Sequence, residues 1–219
     1  MNEIFTLIKF GKKEDLEKLL RKGEVYFNTL ETFTESKDPE RGDENEGACW
    51  IENIQFTNIR AVHPILGTFD FKPNLNSLGK MIQYNFNHLS YSLYVLTATV
   101  FTESNLFQID ERMIEFGGYA LMIKKPIEFL NAIGNELKKQ NIQYKMKIVS
   151  YRDLSKKERF ELTPFEKEIE FKHQNEYRIT IQNLNNNPKA INIGSIEEYC
   201  ILVDSKSIIE TIWEAKRII

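Results

Sequence analysis

Phe171-Lys172-His173-Gln174-Asn175-Glu176-Tyr177-Arg178-Ile179-Thr180-Ile181 is the stretch in which a strand pattern and reactive side chains coincide. From Gln174 onward apolar and polar positions alternate. An extended chain then carries Tyr177, Ile179 and Ile181 on one face and Gln174, Glu176, Arg178 and Thr180 on the other. The first face reads as core. The second holds a carboxylate and a guanidinium two residues apart, roughly 6.5–7 Å along a strand. Two readings are open: a solvated outer face carrying an ion pair, or a Glu at the mouth of a cleft, oriented by Gln174 and Arg178.

Working outward, residues 151–170 are highly charged around Phe160, Leu162 and Phe165 and predict a loop with a short helix. Residues 142–149 alternate as a strand with one wet face. Pro126 opens a helix whose stripe is Ile127, Leu130, Ile133 and Leu137. Before it, Asp110 caps a short helix, and Gly117-Gly118 turns into a strand over 119–123. Residues 89–101, rich in Tyr, Val, Leu and Thr, are the candidate central strand. Residues 64–80 predict a long connection, and 50–56 a strand.

At the N-terminal end, residues 5–10 alternate as a strand. Residues 13–22 follow as a helix with Leu16, Leu19 and Leu20 inward and Gly23 as its left-handed stop. Residues 25–28 resume a strand, and Thr29 caps a turn carrying Leu30 and Phe33. Beyond the opening stretch come a polar turn at 183–188, a short strand at 191–193, and a turn capped by Ser195 with Glu198. A buried strand at 201–204 then leads to a helix opened by Ser205 or Ser207, with Ile208, Ile209, Ile212 and Trp213 inward. The order predicts one α+β domain over residues 1–219, with a mixed, mainly antiparallel sheet and peripheral helices.

Residues 36–47 contain no large apolar side chain and predict a surface loop. Its acids, Asp38, Glu40, Asp43, Glu44 and Glu46, outnumber Lys37 and Arg41. Such a loop can be solvated, meet a basic protein partner through Asp43, Glu44 and Glu46, or hold a divalent cation. The spacing does not follow a calcium loop. Gly42 and Gly47 bracket 43–46 as the hinges of a lid would.

The 219 residues, 42% of them apolar, can bury one sizeable core. A net charge of -3 does not favour a dedicated nucleic-acid or anionic-membrane binder. Cys49 and Cys200 are far apart, and His63, His88 and His173 show no short metal-ligand spacing. There is no signal-peptide pattern at the start and no apolar run long enough to span a bilayer. A soluble cytoplasmic protein is expected. Gly-rich dinucleotide and phosphate loops and the Gly-x-Ser-x-Gly elbow are missing.

Gln174-Asn175-Glu176 at a strand entrance, a first strand bearing Lys9, a helix, and then Tyr26-Phe27-Asn28-Thr29 resemble the skeleton of the mono-ADP-ribosyltransferases. The resemblance implies NAD as co-substrate, Glu176 as the catalytic acid residue beside the developing cation, and Gln174 orienting the acceptor. It also implies Lys9, Tyr26, Asn28 and Arg178 around the cofactor. Lys9 stands where that family has Arg or His, and Ser-Thr-Ser is not present. The chain is also similar to a group of bacterial and phage proteins of uncharacterised function. This similarity runs through Lys9-Phe10, residues 26–30, the Arg-Gly-Asp-x-x-Glu-Gly of residues 41–47, residues 116–120 and Glu176-Tyr177-Arg178-Ile179. Three functions are therefore weighed: ADP-ribosyl transfer; a non-catalytic interaction module; and a metal-dependent phosphodiesterase or nuclease using Asp43, Glu46 and Glu176 with Arg178 on the phosphate.

Overall fold

The computed structural model describes residues 3–37, 40–56, 58–72, 78–102, 104–182, 185 and 187–216. Strand β1 (Ile4–Gly11), helix α1 (Lys13–Lys22), strand β2 (Glu24–Thr29) and helix α2 (Leu30–Thr34) open the chain, as the periodicity predicts. In α1 Leu16 and Leu19 are buried, and Glu14 and Asp15 at its start and Arg21 and Lys22 at its end complement the helix dipole. Gly23 stops the helix at φ 65°, and a Cβ there would lie 2.0 Å from the carbonyl oxygen of Gly194. Only glycine fits.

The middle of the chain supplies β3 (Ala48–Gln55), β4 (Ile59–His63), β5 (Gly67–Phe71), β6 (Leu78–Tyr84), β7 (His88–Thr97) and β8 (Leu106–Phe107). Asp110 accepts a hydrogen bond from the Arg112 N–H and caps a 3-10 turn, Glu111–Phe116. Then come β9 (Tyr119–Ile123), α3 (Pro126–Lys139), β10 (Tyr144–Ile148), β11 (Ser150–Arg152), β12 (Arg159–Glu161) and β13 (Glu166–Glu168). A second 3-10 turn, Ile169–Gln174, leads into β14 (Glu176–Gln182), followed by β15 (Lys189–Asn192), β16 (Cys200–Asp204), α4 (Ser205–Glu210) and β17 (Trp213–Glu214).

Eight strands form the central sheet, in the order β10-β14-β7-β1-β9-β16, with β2 joined to β7 and β15 to β2. Every pairing in it is antiparallel. Among the described residues the parallel pair is β11 with β13. The fold is thus α+β with mainly antiparallel sheets. One layer of core joins Leu7, Val95, Leu121 and Ile179 to Leu16 and Leu19 of α1 and Phe129, Ile133 and Leu137 of α3. A second lies under α4 and joins Ile8, Phe10, Tyr94, Met113, Ile208 and Ile209.

The edges of β7 position the candidate site. On one edge β14 pairs with it from Glu176↔Tyr94 to Gln182↔His88. The other edge is shared: β1 pairs as far as Ile8↔Tyr94, whereas β2 pairs at Asn28↔Ser90 and Thr29↔Leu89. Past Ile8, β1 pairs only with β9, through Lys9↔Leu121 to Gly11↔Tyr119. At residues 91–93 the two strands have parted, and the sheet is split.

Several expectations need correction. Residues 64–80 are not a plain connection: β5 and part of β6 lie there, and β4 and β5 form a hairpin exposed throughout. Residues 151–170 fold as short strands rather than loop and helix, because sparse Phe160, Leu162 and Phe165 anchor extended pieces. Ile127 and Ile212 are exposed, and Phe129 fills the α3 face instead. Strand β16 closes the sheet as an edge and is only partly buried. Asp204, not a serine, caps α4, and Ser195 meets Glu197 rather than Glu198. Residues 183, 184 and 186 of the expected polar turn lie outside the described residues.

Candidate functional site

The split in the sheet opens a cleft of about 610 Å³. Lys9 reaches it from β1, Tyr26 and Asn28 from β2, Ser90, Tyr91 and Ser92 from β7, and Glu176 and Arg178 from β14. Gln174, at the end of the 3-10 turn, and Arg41 and Glu46, from the acidic loop, complete this wall. All six residues expected at the catalytic and cofactor positions line this one opening.

The polar face of β14 is buried, not solvated: Glu176 is 4% exposed and Arg178 3%. Strand alternation turns both side chains the same way, so Arg178 Nε donates to Glu176 Oε1 at 2.6 Å and Nη2 to Oε2 at 3.2 Å. Its other edge grips Glu46, Nη1 to Oε1 at 2.6 Å and Nη2 to Oε2 at 2.9 Å, and Nη1 also donates to the carbonyl oxygen of Pro164 at 2.6 Å. These five bonds use all five guanidinium donors. Arg178 has none left for a ligand; its part is to hold Glu176 and Glu46.

Glu176 has further partners. Ser92 Oγ donates to its Oε1 at 2.5 Å, and Lys167 Nζ stands 3.5 Å from Oε2. Its N–H donates to the Tyr151 hydroxyl at 2.9 Å. Burial would raise its pKa, but Arg178 and Lys167, with the hydrogen bonds from Arg178 and Ser92, hold it at about 2. It is a permanent anion at neutral pH. Asp43 and Glu46 go the other way, since burial outweighs the cations they share with Glu176 and raises both.

Lys9 is partly buried. Its Nζ donates to the carbonyl oxygen of Ser92 at 2.7 Å and lies 4.4 Å from the centre of the Tyr91 ring. Burial lowers its pKa to about 8, against the pull of Glu176. Gln174 is committed at both ends: its Oε1 accepts from Lys167 Nζ at 2.9 Å and its Nε2 donates to the carbonyl oxygen of Glu40 at 2.8 Å.

The acidic loop is not wholly a surface feature. Asp43 and Glu46 are buried, although no apolar side chain carries the loop inward. Buried cations draw it in: Arg178 takes Glu46, and Lys167 Nζ stands 4.0 Å from Asp43. Glu44 alone of the three faces outward, 73% exposed beside Lys80. Glu40 turns to His173, 2.7 Å from Nε2; Asp38 lies outside the described residues. Asp43, Glu46 and Glu176 therefore converge, as the metal-dependent alternative requires, but on Arg178 and Lys167, whose charges occupy the space between the carboxylates. Among the described residues no cluster of three or more His, Cys, Asp or Glu side chains could hold a metal ion. No helix among them is long and apolar enough to cross a membrane.

Three members of the site were not singled out by the sequence reading. Lys167 was hidden in a run of charges with no visible period. Tyr151 sits in the same run. Ser92 had a signal: Ser90 and Ser92 are small polar residues at i and i+2 in an otherwise bulky strand, which marks one face as polar.

Comparison of the chain with family models, with curated proteins and with solved structures finds no match in any of the three.

Proposed function

We propose that the cleft binds NAD and that the protein is an ADP-ribosyl-transferring enzyme with Glu176 as its essential carboxylate. The observation that carries this is an anionic Glu176, fixed by Arg178 and Ser92, lining one cleft with Lys9, Tyr26 and Asn28. NAD supplies a glycosidic C–N bond whose cleavage leaves an electron-poor ribose carbon. A group with a pKa of about 2 gives up no proton at neutral pH. Glu176 acts instead as a fixed negative charge, which lowers the barrier where positive charge develops. A ribose hydroxyl can take over the donor position that Ser92 Oγ fills at Oε1.

Lys9 supplies positive charge for a phosphate, and the exposed ring of Tyr26 offers a stacking surface at the rim. Arg178, Lys167 and Gln174 are positioning residues. The test is nicotinamide release from NAD by wild-type protein and by Glu176→Gln, with both shown to be folded by thermal melting. Release by wild type and its loss in the variant support the proposal; a fully active Glu176→Gln protein removes it.

One observation favours a second reading, a non-catalytic binding module: every donor of Arg178 and both ends of Gln174 are satisfied within the chain. On that reading wild type releases no nicotinamide, and Glu176→Gln only lowers the melting temperature. A basic partner of the acidic loop would meet Glu44, since Asp43 and Glu46 face inward.

A further inference from the structure

Ser90 occupies an unusual position on β7. It is 3% exposed, it lines the cleft, and its Oγ has no hydrogen-bond partner among the described residues. Two residues from Ser92, it shares the face on which the Ser92 hydroxyl meets Glu176. A buried hydroxyl with no partner destabilises a fold, and in native proteins such groups call for an explanation. Tyr91 OH is also partnerless, but Tyr91 lies on the opposite face, where its ring packs against Phe27. Ser90 is the one of the two on the Glu176 side.

Its neighbour across the ladder is Asn28, directly opposite in register. Side chains so placed stand close enough to grip one small group together. Asn28 Oδ1 accepts from the Thr29 N–H at 3.0 Å and from Thr32 Oγ1 at 3.3 Å, which leaves its NH2 as a donor in the cleft. A hydroxyl can accept as well as donate. Asn28 and Ser90 together thus present a donor beside a donor–acceptor, the complement of a group carrying one C=O and one N–H.

From this pairing we infer that Asn28 and Ser90 form a subsite for a carboxamide, with Asn28 donating to its C=O and Ser90 accepting from its N–H. This rests on the NAD reading for the identity of the whole ligand, because NAD carries a carboxamide, but the subsite itself does not require the rest of the dinucleotide.

The experiment measures binding of three probes by calorimetry and thermal shift: NAD, free nicotinamide and benzamide. Wild type is compared with Ser90→Ala and Asn28→Ala. Ser90→Ala without ligand should melt at or above the wild-type temperature, because it removes an unsatisfied group. It should bind NAD and the free amides at least tenfold more weakly. If wild type binds the free amides but not NAD, the subsite stands and the NAD reading falls. If NAD binds equally well to wild type and Ser90→Ala, the subsite falls and the NAD reading stands. Binding of none of the probes overturns both. A ligand-free Ser90→Ala protein that melts well below wild type also overturns the inference, since the hydroxyl then serves the fold.

Discussion

Arg178 and Glu46 face each other through two parallel N–H···O bonds of 2.6 and 2.9 Å, although 132 residues separate them in the chain. The contact ties the acidic loop to the central sheet and, through the same guanidinium, to Glu176. Loop and catalytic candidate therefore share one cation.

Removing that cation should be severe. Arg178→Met leaves Glu46 and Glu176 buried without their partner, a change of the kind that costs about 3–5 kcal/mol. Glu46→Gln should cost less, about 1–3 kcal/mol, because one amide oxygen still accepts from Arg178 while its NH2 leaves the other guanidinium donor unsatisfied. Urea denaturation of the two variants and of the double variant checks both values. Equal losses in the single variants would contradict the asymmetry.

The pH dependence has two opposing parts. Lys9 titrates at 10.5 in the unfolded chain and about 8 in the fold, a difference of about 3 kcal/mol. Between those values the unfolded chain binds more protons, so stability rises with pH; below about 8 the cost of burying the ammonium is fully present. Lys9→Met should therefore stabilise the protein at neutral pH, and the gain should shrink as pH climbs from about 8 toward 10.5. Glu176 behaves oppositely: its contribution is complete above 4.5 and is lost as pH falls through about 2. Urea midpoints of wild type and Lys9→Met across the alkaline range test the first part, and acid titration of the wild type tests the second.

The β4–β5 hairpin should be dispensable for folding. Ile59, Val62, Ile65, Leu66, Phe69 and Phe71 are all exposed on it. The strands at its base end in register, Gln55 opposite Leu78, so a short turn can join them. A chain with residues 57–77 replaced by a four-residue turn should melt within a few degrees of wild type and stay monomeric at higher concentration. Scanning calorimetry and light scattering read both outcomes; a collapse of the melting transition would show that the arm supports the fold.

Much of this architecture is legible in the sequence where periodicity and stop signals coincide. Leu16, Leu19 and Gly23 define α1 without ambiguity, and the alternation at Tyr177, Ile179 and Ile181 gives the core face of β14. The same alternation brings Glu176 and Arg178 to one face, but it cannot say that this face is covered. Burial of an acidic loop is invisible to hydropathy, because Asp43 and Glu46 are drawn in by cations more than a hundred residues away. The short strands between residues 150 and 168 were equally hidden, since two or three extended residues leave no period to read. Ser90 was visible only as a serine in a strand; that its hydroxyl lacks a partner is a property of packing.

The shared edge of β7 makes the opening lopsided in its mechanics. β1 grips that edge at four positions and pairs with β9 on its far side, whereas β2 is joined at two and is held instead by Val25 and Phe27, with Ile191 of β15, in the core beside α1 and α3. One jaw is fixed by ladder bonds and the other by side-chain packing. A crosslink between the β2–β15 ribbon and β7 would therefore fix the aperture without touching the carboxylate.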